Sequence, residues 1–550
     1  KYYKIMVKNM NKKIKYGLLA CVVIVIAIVA ISSILGSAEK NDPTHLVVTM
    51  MGHAGEPETG FNPLTGWGCG HLNFNPLIQS TLLTSDENGD FVGDLATNYT
   101  TSSDGLIWTV NIRDDVKFSN NASLKASDVA FTFNEARQSN SQLDMSNLEE
   151  AKAVNDTTVE FKLKKAQSSF VYDLRYIGIV PEEGYNNETY GANPIGSGPY
   201  KLKQWDKGQQ AILEVNDNYY GKKPYFTQLT ILFPEEDTAF ELVKSHQADV
   251  VQAPFTSLNQ TVDGYELINY TSPRAQGLSL PYLNNTGLTT DNGHAVGNNV
   301  TADKAIREAL NIGIDRTSII NSVYKGYGKA EYSGVDSQVY ANNDSKVTDN
   351  NPQEAKNILE QAGWVDTNGD GIREKDGKNA SFKLYYSSKD QSRQSLATVI
   401  SEQAKPLGIN IELVGTDWDT IYQNMYSEAA LMQQSSDNPY RTVYQQYHSK
   451  ENFTEDDYMN PNAYNSSEVD AILEEALSST NQNESNNLWA KAAYTGNGGF
   501  GPKGDAPWLW VADYNYCYFV KDGINMGKEP IMGQDYLANI CDWTRENTTA

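Results

Sequence analysis

Apolar and polar residues alternate with period two over several short stretches of this chain and follow a helical period over others. In SSDGLIWTVNIRDDVKF the Asp104-Gly105 pair signals a turn. Beyond it Trp108, Val110 and Ile112 share one face while Ile107, Thr109 and Asn111 share the other, which predicts a strand. TTVEFKL alternates again at Val159, Phe161 and Leu163, and HLVVTMM reads as a short apolar strand. The period changes in NPQEAKNILEQAG. Asn351 is placed to cap a helix, Pro352 suits its first position and Glu354 reaches back. Ala355, Ile358, Leu359 and Ala362 form a stripe that Gly363 ends. TADKAIREALNIGIDR turns Ala305, Ile306, Ala309 and Leu310 inward, with Thr301 as the expected cap and Gly313 as the stop. In NPIGSGPYKLKQW a loop with two prolines and two glycines feeds a strand, Tyr200, Leu202 and Gln204 on one face and Lys201 and Lys203 on the other. A phosphate cradle requires a helix after its glycines, so this loop reads as scaffold. The sum is a mixed α/β chain.

The N-terminus has another pattern. Six lysines precede Tyr16, and residues 16–36 form an uncharged, mostly apolar run. That run is long enough to span a bilayer, with the basic residues 1–15 held on the cytoplasmic side. It is either an uncleaved anchor or a signal segment cut after Ala38. Both place residues 40–550 outside the cytoplasm. Cys21 in LLAC hints at lipid attachment, but the apolar run continues past it where a lipoprotein turns polar. Residues 37–43 are a linker. No clean break follows, so a second lobe is expected to hand the chain back to the first.

Composition narrows the function. A chain of 550 residues implies two or three lobes. A net charge of −25 makes nucleic acid and anionic membrane surfaces poor partners for the body of the protein. Asn-x-Ser/Thr acceptors recur, Asn98 and Asn121 among them, and permit glycosylation. The four cysteines, Cys21, Cys69, Cys517 and Cys541, make neither a disulfide framework nor a CxxC metal site; Cys517 and Cys541 are a candidate pair, which would leave Cys69 a free thiol. The six histidines form no HExxH, and neither a GxSxG elbow nor a Walker motif occurs, so no enzyme is expected. DTNGDGIREKDG opens like a calcium loop at Asp366, Asn368, Asp370 and Gly371. Its twelfth position is Gly377, not the required Glu, and it reads as a connector.

Five segments in order resemble one family. They are LATNYTTSSDGLIWTVNIRDDVKFSNNASLKASDVAFTF, NPIGSGPYKLKQWDKGQ, NDNYYGKKP, AIREALNIGIDR and AYNSSEVDAILEEAL. Together they resemble the extracytoplasmic solute-binding proteins, family 5, of peptide and nickel ABC transporters, over about residues 44–545. GWGCG and GDAPWLWV are similar to nickel- or peptide-type members. The resemblance implies a two-lobed periplasmic-binding-protein fold (class II, large family-5 type), α/β, behind the N-terminal transmembrane or signal helix. Lobe I would span 44–276 and lobe II 277–505, with 506–550 returning to lobe I. GLSLPYL (277–283) would cross out and APWLWVADY (506–514) would cross back, two hinge strands on which the lobes close.

The resemblance also implies ligand contacts. GWGCGH offers Trp67 as an aromatic wall, and Cys69 and His71 as soft or imidazole donors to a metal. SSDNPYRTVYQQYH resembles a second-lobe loop that contacts ligand. There Asp437 would take a peptide ammonium and Arg441 a carboxylate, with Tyr444 beside them. Arg175 in DLRYIGIVP and Arg274 in SPRAQG are further carboxylate candidates, and Tyr282 and Trp508 would line the hinge. Some relatives carry a His-rich HPHGHGW near the C-terminus, whereas here the stretch reads PIMGQDYLANICDW. The implied function is capture of a di- or oligopeptide without any cofactor and delivery to an ABC permease and its ATPase. Nickel or a nickel chelate is the alternative ligand. An extracellular hydrolase, or a surface adhesion protein that kept the fold, are the alternatives from other classes.

Overall fold

The structure is a computed structural model that describes residues 42–546 apart from 52–54, 58, 66–76, 87–88, 140–142, 455–457 and 534. The anchor or signal segment and residues Trp67, Cys69 and His71 lie outside the described residues. Among the described residues no helix is long and apolar enough to cross a membrane.

Three sheets organise the chain. A seven-stranded sheet runs in the order Tyr265–Tyr270, Tyr516–Lys521, Val250–Gln252, His45–Thr49, Gln228–Leu232, Gln210–Val215 and Tyr200–Asp206. A six-stranded sheet runs Gly328–Ala330, Trp508–Tyr514, Arg274–Ser279, Ala429–Ser435, Ser381–Ser387 and Asn410–Thr416. A four-stranded antiparallel sheet holds the predicted alternating strands Ile107–Ile112 and Thr158–Leu163, with Ala96–Thr101 and Leu148–Asn155 outside them. Trp108, Val110, Ile112, Val159, Phe161 and Leu163 all enter its core. That core is closed by the helices Ala126–Gln138 and Phe170–Tyr176.

The chain passes from the seven-stranded to the six-stranded sheet across residues 271–273 and returns through Asn515. Both connections leave one sheet and enter the next as neighbouring antiparallel pairs, Tyr265–Tyr270 beside Tyr516–Lys521 and Arg274–Ser279 beside Trp508–Tyr514. Gly277 to Ser279, expected to make the outgoing crossing, already sit inside the six-stranded sheet between Leu431 and Trp510 neighbours, so the crossing falls earlier. Both central strands of that sheet are buried along their whole length because helices and loops cover both faces. This accounts for the unbroken apolar run in WLWVADY. Leu509 and Val511 enter one core, Trp508 and Trp510 the other.

Local rules explain most elements. Asn351 accepts from the Glu354 amide at 3.2 Å and Pro352 opens the helix Pro352–Gln361, as expected, with Gly363 at φ +89° beyond its end. The preceding helix, Lys304–Gly313, departs from expectation. Its cap is Asp303, whose carboxylate accepts from the Ala305 amide at 3.0 Å; the Thr301 hydroxyl is spent on the Pro281 carbonyl at 2.8 Å. In the NPIGSGPY loop glycine is required by crowding and not by an unusual φ. A Cβ on Gly196 would lie 1.9 Å from the Ile78 carbonyl oxygen, so this backbone can lie against Ile78 only without a side chain.

The candidate pairing of Cys517 with Cys541 is not formed; both thiols are free. The strand Tyr516–Lys521 explains why. Tyr516, Tyr518 and Val520 point into the core that holds Ile540 and Trp543, while Cys517 and Phe519 point into the opposite one. Cys541 lies on the far side of the sheet, beside Tyr219. Burial pushes the Cys517 thiol up to about 12 and Cys541 up to about 11, so neither is a ready nucleophile.

Candidate functional site

The short helix Phe170–Tyr176 is the key local element. Phe170, Val171 and Leu174, followed by Ile177, pack into the core of the four-stranded sheet. Asp173 and Arg175, with Tyr172 and Tyr176 that also touch this core, line a cleft of about 630 Å³. This volume lies within the roughly 300–1,000 Å³ range of small-molecule sites. The facing wall comes from the end of the strand Ala429–Ser435: Ser435, Ser436, Asp437, Asn438 and Arg441. Asn438 shapes that loop by accepting from the Tyr440 amide at 3.0 Å, and Pro439 then starts the helical turn Tyr440–Tyr444. The third wall is the C-terminal stretch Lys528 to Asp542, tied back to the outgoing crossing where the Thr271 hydroxyl donates to Glu529 at 2.7 Å.

An ion pair spans the cleft. The Arg175 guanidinium donates to both Asp437 carboxylate oxygens at 2.6 Å, across 262 residues of sequence, and to the Ser85 hydroxyl at 2.9 Å. Its flat faces lie over Phe91 and Tyr172, 5.2 and 5.3 Å from the ring centroids. Burial opposes the Arg175 charge, but Asp437 outweighs it and the net shift is upward. The two side chains are each 18% exposed, so water still reaches the pair and a solute can compete for it. Other bonds join the same two layers. Tyr440 donates to Asp144 at 2.9 Å, and Ser168 bonds to Ala476 and Ser485 at 3.0 and 2.9 Å.

Two residues from Arg175, Asp173 stands differently. Burial pushes its carboxyl up to about 7; Arg441 pulls it down and Asp144 adds to the rise. Its carboxylate has neither a hydrogen bond nor an ion pair among the described residues.

The structure thus gathers three of the expected contacts, Arg175, Asp437 and Arg441, in one cleft. The partner of Asp437 is Arg175 from the opposite wall, an arrangement that the adjacency of Asp437 and Arg441 in sequence does not suggest. Four other candidates lie elsewhere. Arg274 is 7% exposed and packs between Tyr514 and Tyr516 while donating to Gln433 at 2.9 Å. Tyr282 packs on Tyr464 and beneath Arg307. Trp508 is buried and stacked on Trp510, with centroids 4.3 Å apart. Tyr444 donates to Glu474 at 2.7 Å and stacks between Tyr440 and His448. Trp67, Cys69 and His71 lie outside the described residues. Asp173, not expected from sequence, was discoverable only from the stripe of DLRY: an acid beside the core positions of a short helix.

The calcium-like loop gathers Asp366, Asp370 and Glu374, whose oxygens approach within 4.8 Å of one another. Their hydrogen bonds account for this. Asp366 accepts from the Gly369 and Gly371 amides, Asp370 from the Ile372 amide, and Glu374 from Thr367 and Asn368. The carboxylates thereby fold the connector.

Comparison with known proteins agrees with this architecture. The profile described as "Bacterial extracellular solute-binding proteins, family 5 Middle" matches residues 90–467. The oligopeptide-binding protein AppA of Bacillus subtilis is 29% identical over 440 residues, 75% of this chain and 79% of the relative. The nickel-binding periplasmic protein of Escherichia coli is 29% identical over 358 residues, 63% of this chain and 67% of the relative. The crystal structure of NikZ from Campylobacter jejuni in complex with Ni(L-His) superposes with a TM-score of 0.75 at 22% identity, over 92% of this chain and all of that one. At that identity the superposition establishes the fold alone.

Proposed function

Because the chain belongs to the family-5 bacterial extracellular solute-binding proteins, we propose that it captures a di- or oligopeptide outside the cytoplasm and hands it to an ABC permease and its ATPase. The supporting observation is the cleft itself, with Arg175 on one wall and Asp437 on the other, both only partly dry. A peptide supplies an ammonium for Asp437 and a carboxylate for Arg175 or Arg441, so the internal ion pair is exchanged for two external ones of the same kind. The lobe built on the seven-stranded sheet and the lobe built on the six-stranded sheet close about the paired crossings at 271–273 and Asn515, and the closed form is what the permease recognises. No chemical step is involved. The N-terminal run serves as membrane anchor or cleaved signal.

Peptide is favoured over a His-bound metal by the C-terminal wall. Pro530, Ile531, Met532 and Asp535 face the cleft in the stretch where some relatives have imidazoles. Chelated nickel is the second reading, supported by the nickel-binding relatives, since a chelate carries its own donors. Native mass spectrometry and thermal melting of residues 40–550, titrated with dipeptides, longer peptides, Ni²⁺ and Ni²⁺ with histidine, separate the two. A peptide that raises the melting temperature in the wild type and not in Arg175→Ala or Asp437→Ala supports the first. Uptake of nickel only with histidine moves the assignment to the chelate, and silence with every ligand removes both.

A further inference from the structure

We propose that Asp173 makes the cleft selective for solutes with a positively charged side chain. This rests on the reading of the cleft as a peptide site and specifies which peptides it takes. Three observations carry it. First, Arg175 and Asp437 neutralise one another, and a peptide's own two termini would do so again, so that pair sets no preference for the charge in between. Second, the Asp173 carboxylate faces the same cleft with no hydrogen bond or ion pair among the described residues. A half-buried carboxylate left without a partner costs stability, and a binding site is where such a cost is retained. Third, the surroundings suit an alkyl stem ending in a cation. Tyr172, Tyr176 and Leu143, which line the same cleft, supply aromatic and aliphatic wall. The cleft as a whole is lined by six carboxylates against three cations, which raises the local concentration of positive solutes. Arg441 acts on Asp173 without forming an ion pair with it, and Asp144 adds negative potential.

The test uses five-residue peptides that carry one Lys, one norleucine or one Glu at each position in turn, titrated calorimetrically into wild type, Asp173→Asn and Asp173→Glu. Norleucine keeps the alkyl stem without the charge. At one position the wild type should bind the Lys peptide about tenfold more tightly than its norleucine twin, the ratio expected of one charge-assisted contact. Asp173→Asn should bring that ratio to about one, and Asp173→Glu should keep the preference. Melting curves of each variant establish that it is folded. Equal binding of Lys and norleucine at every position, a preference that survives in Asp173→Asn, or a preference for Glu overturns the proposal while leaving peptide capture intact. Failure of all the peptides to bind overturns the peptide reading and this proposal together.

Discussion

Arg316 and Arg175 are both enclosed guanidinium groups that meet an aspartate, yet the protein uses them in opposite ways. Arg316 is completely buried beside the six-stranded sheet. It donates to the backbone carbonyls of Asn311, Glu331 and Trp510, to the Asn311 side chain and to Asp349, and lies over the Tyr332 ring. Four of its five bonds go to partners that no solute can replace, because they are main chain or the buried Asn311 side chain of the preceding helix. Arg175 spends its main bonds on one carboxylate from the opposite wall of a wet cleft. A guanidinium tied to backbone holds a fold together, whereas one tied to a water-accessible carboxylate is available for exchange. The difference lies in the partners and not in burial alone.

The sharpest way to break this comparison is to remove each charge. Arg316→Met leaves several buried carbonyls unsatisfied and should cost about 3–5 kcal/mol of stability, seen as a lower denaturation midpoint. Its folded fraction should bind solute with unchanged affinity. Arg175→Met should do the reverse, with a small change in midpoint and at least about a tenfold loss of solute affinity. A large stability loss in both would erase the distinction.

A smaller effect concerns pH. The Asp173 carboxyl is raised to about 7 in the folded protein, from about 3.9 in an unfolded chain. The folded state therefore holds the proton more tightly, and the stability this contributes is complete below about pH 4 and lost as pH rises through 7. Asp173→Asn removes that titration, with Arg441 and Asp144 left in place. The melting temperature of the variant relative to wild type should be higher at pH 8 than at pH 4. A difference that is flat with pH would contradict the assignment.

The smallest effect is an absence. Since Cys517 and Cys541 lie on opposite faces of one sheet, reducing agent should leave the melting temperature unchanged, and both thiols should react with a thiol reagent after denaturation without reduction. A shift on reduction would show that the two are bonded after all.

What the sequence revealed follows the range of the forces involved. Strands over 107–112 and 158–163 and the helix from Pro352 are set by neighbours a few residues away, so alternation and capping are enough to read them. APWLWVADY was expected to make the return crossing; it is instead a buried strand of the six-stranded sheet, and the chain leaves at Asn515, because the crossing is set by pairing with distant strands. Thr301 was a plausible cap until tertiary contact with Pro281 claimed its hydroxyl. In the cleft, Arg175, Asp437 and Arg441 were legible one at a time, through their resemblance to family segments. Their partnership was not, since 262 residues separate Arg175 from Asp437. Arg274 and Trp508 show the converse: residue types suited to ligand contact, placed on strands whose two faces are both interior.

The most direct measurement is a crystal structure of the protein loaded with a peptide that stabilises it. The account predicts solute between the Phe170–Tyr176 helix and the Asp437 loop, with its ammonium on Asp437 and the Arg175–Asp437 ion pair opened. Solute bound elsewhere, with that ion pair intact, would contradict it.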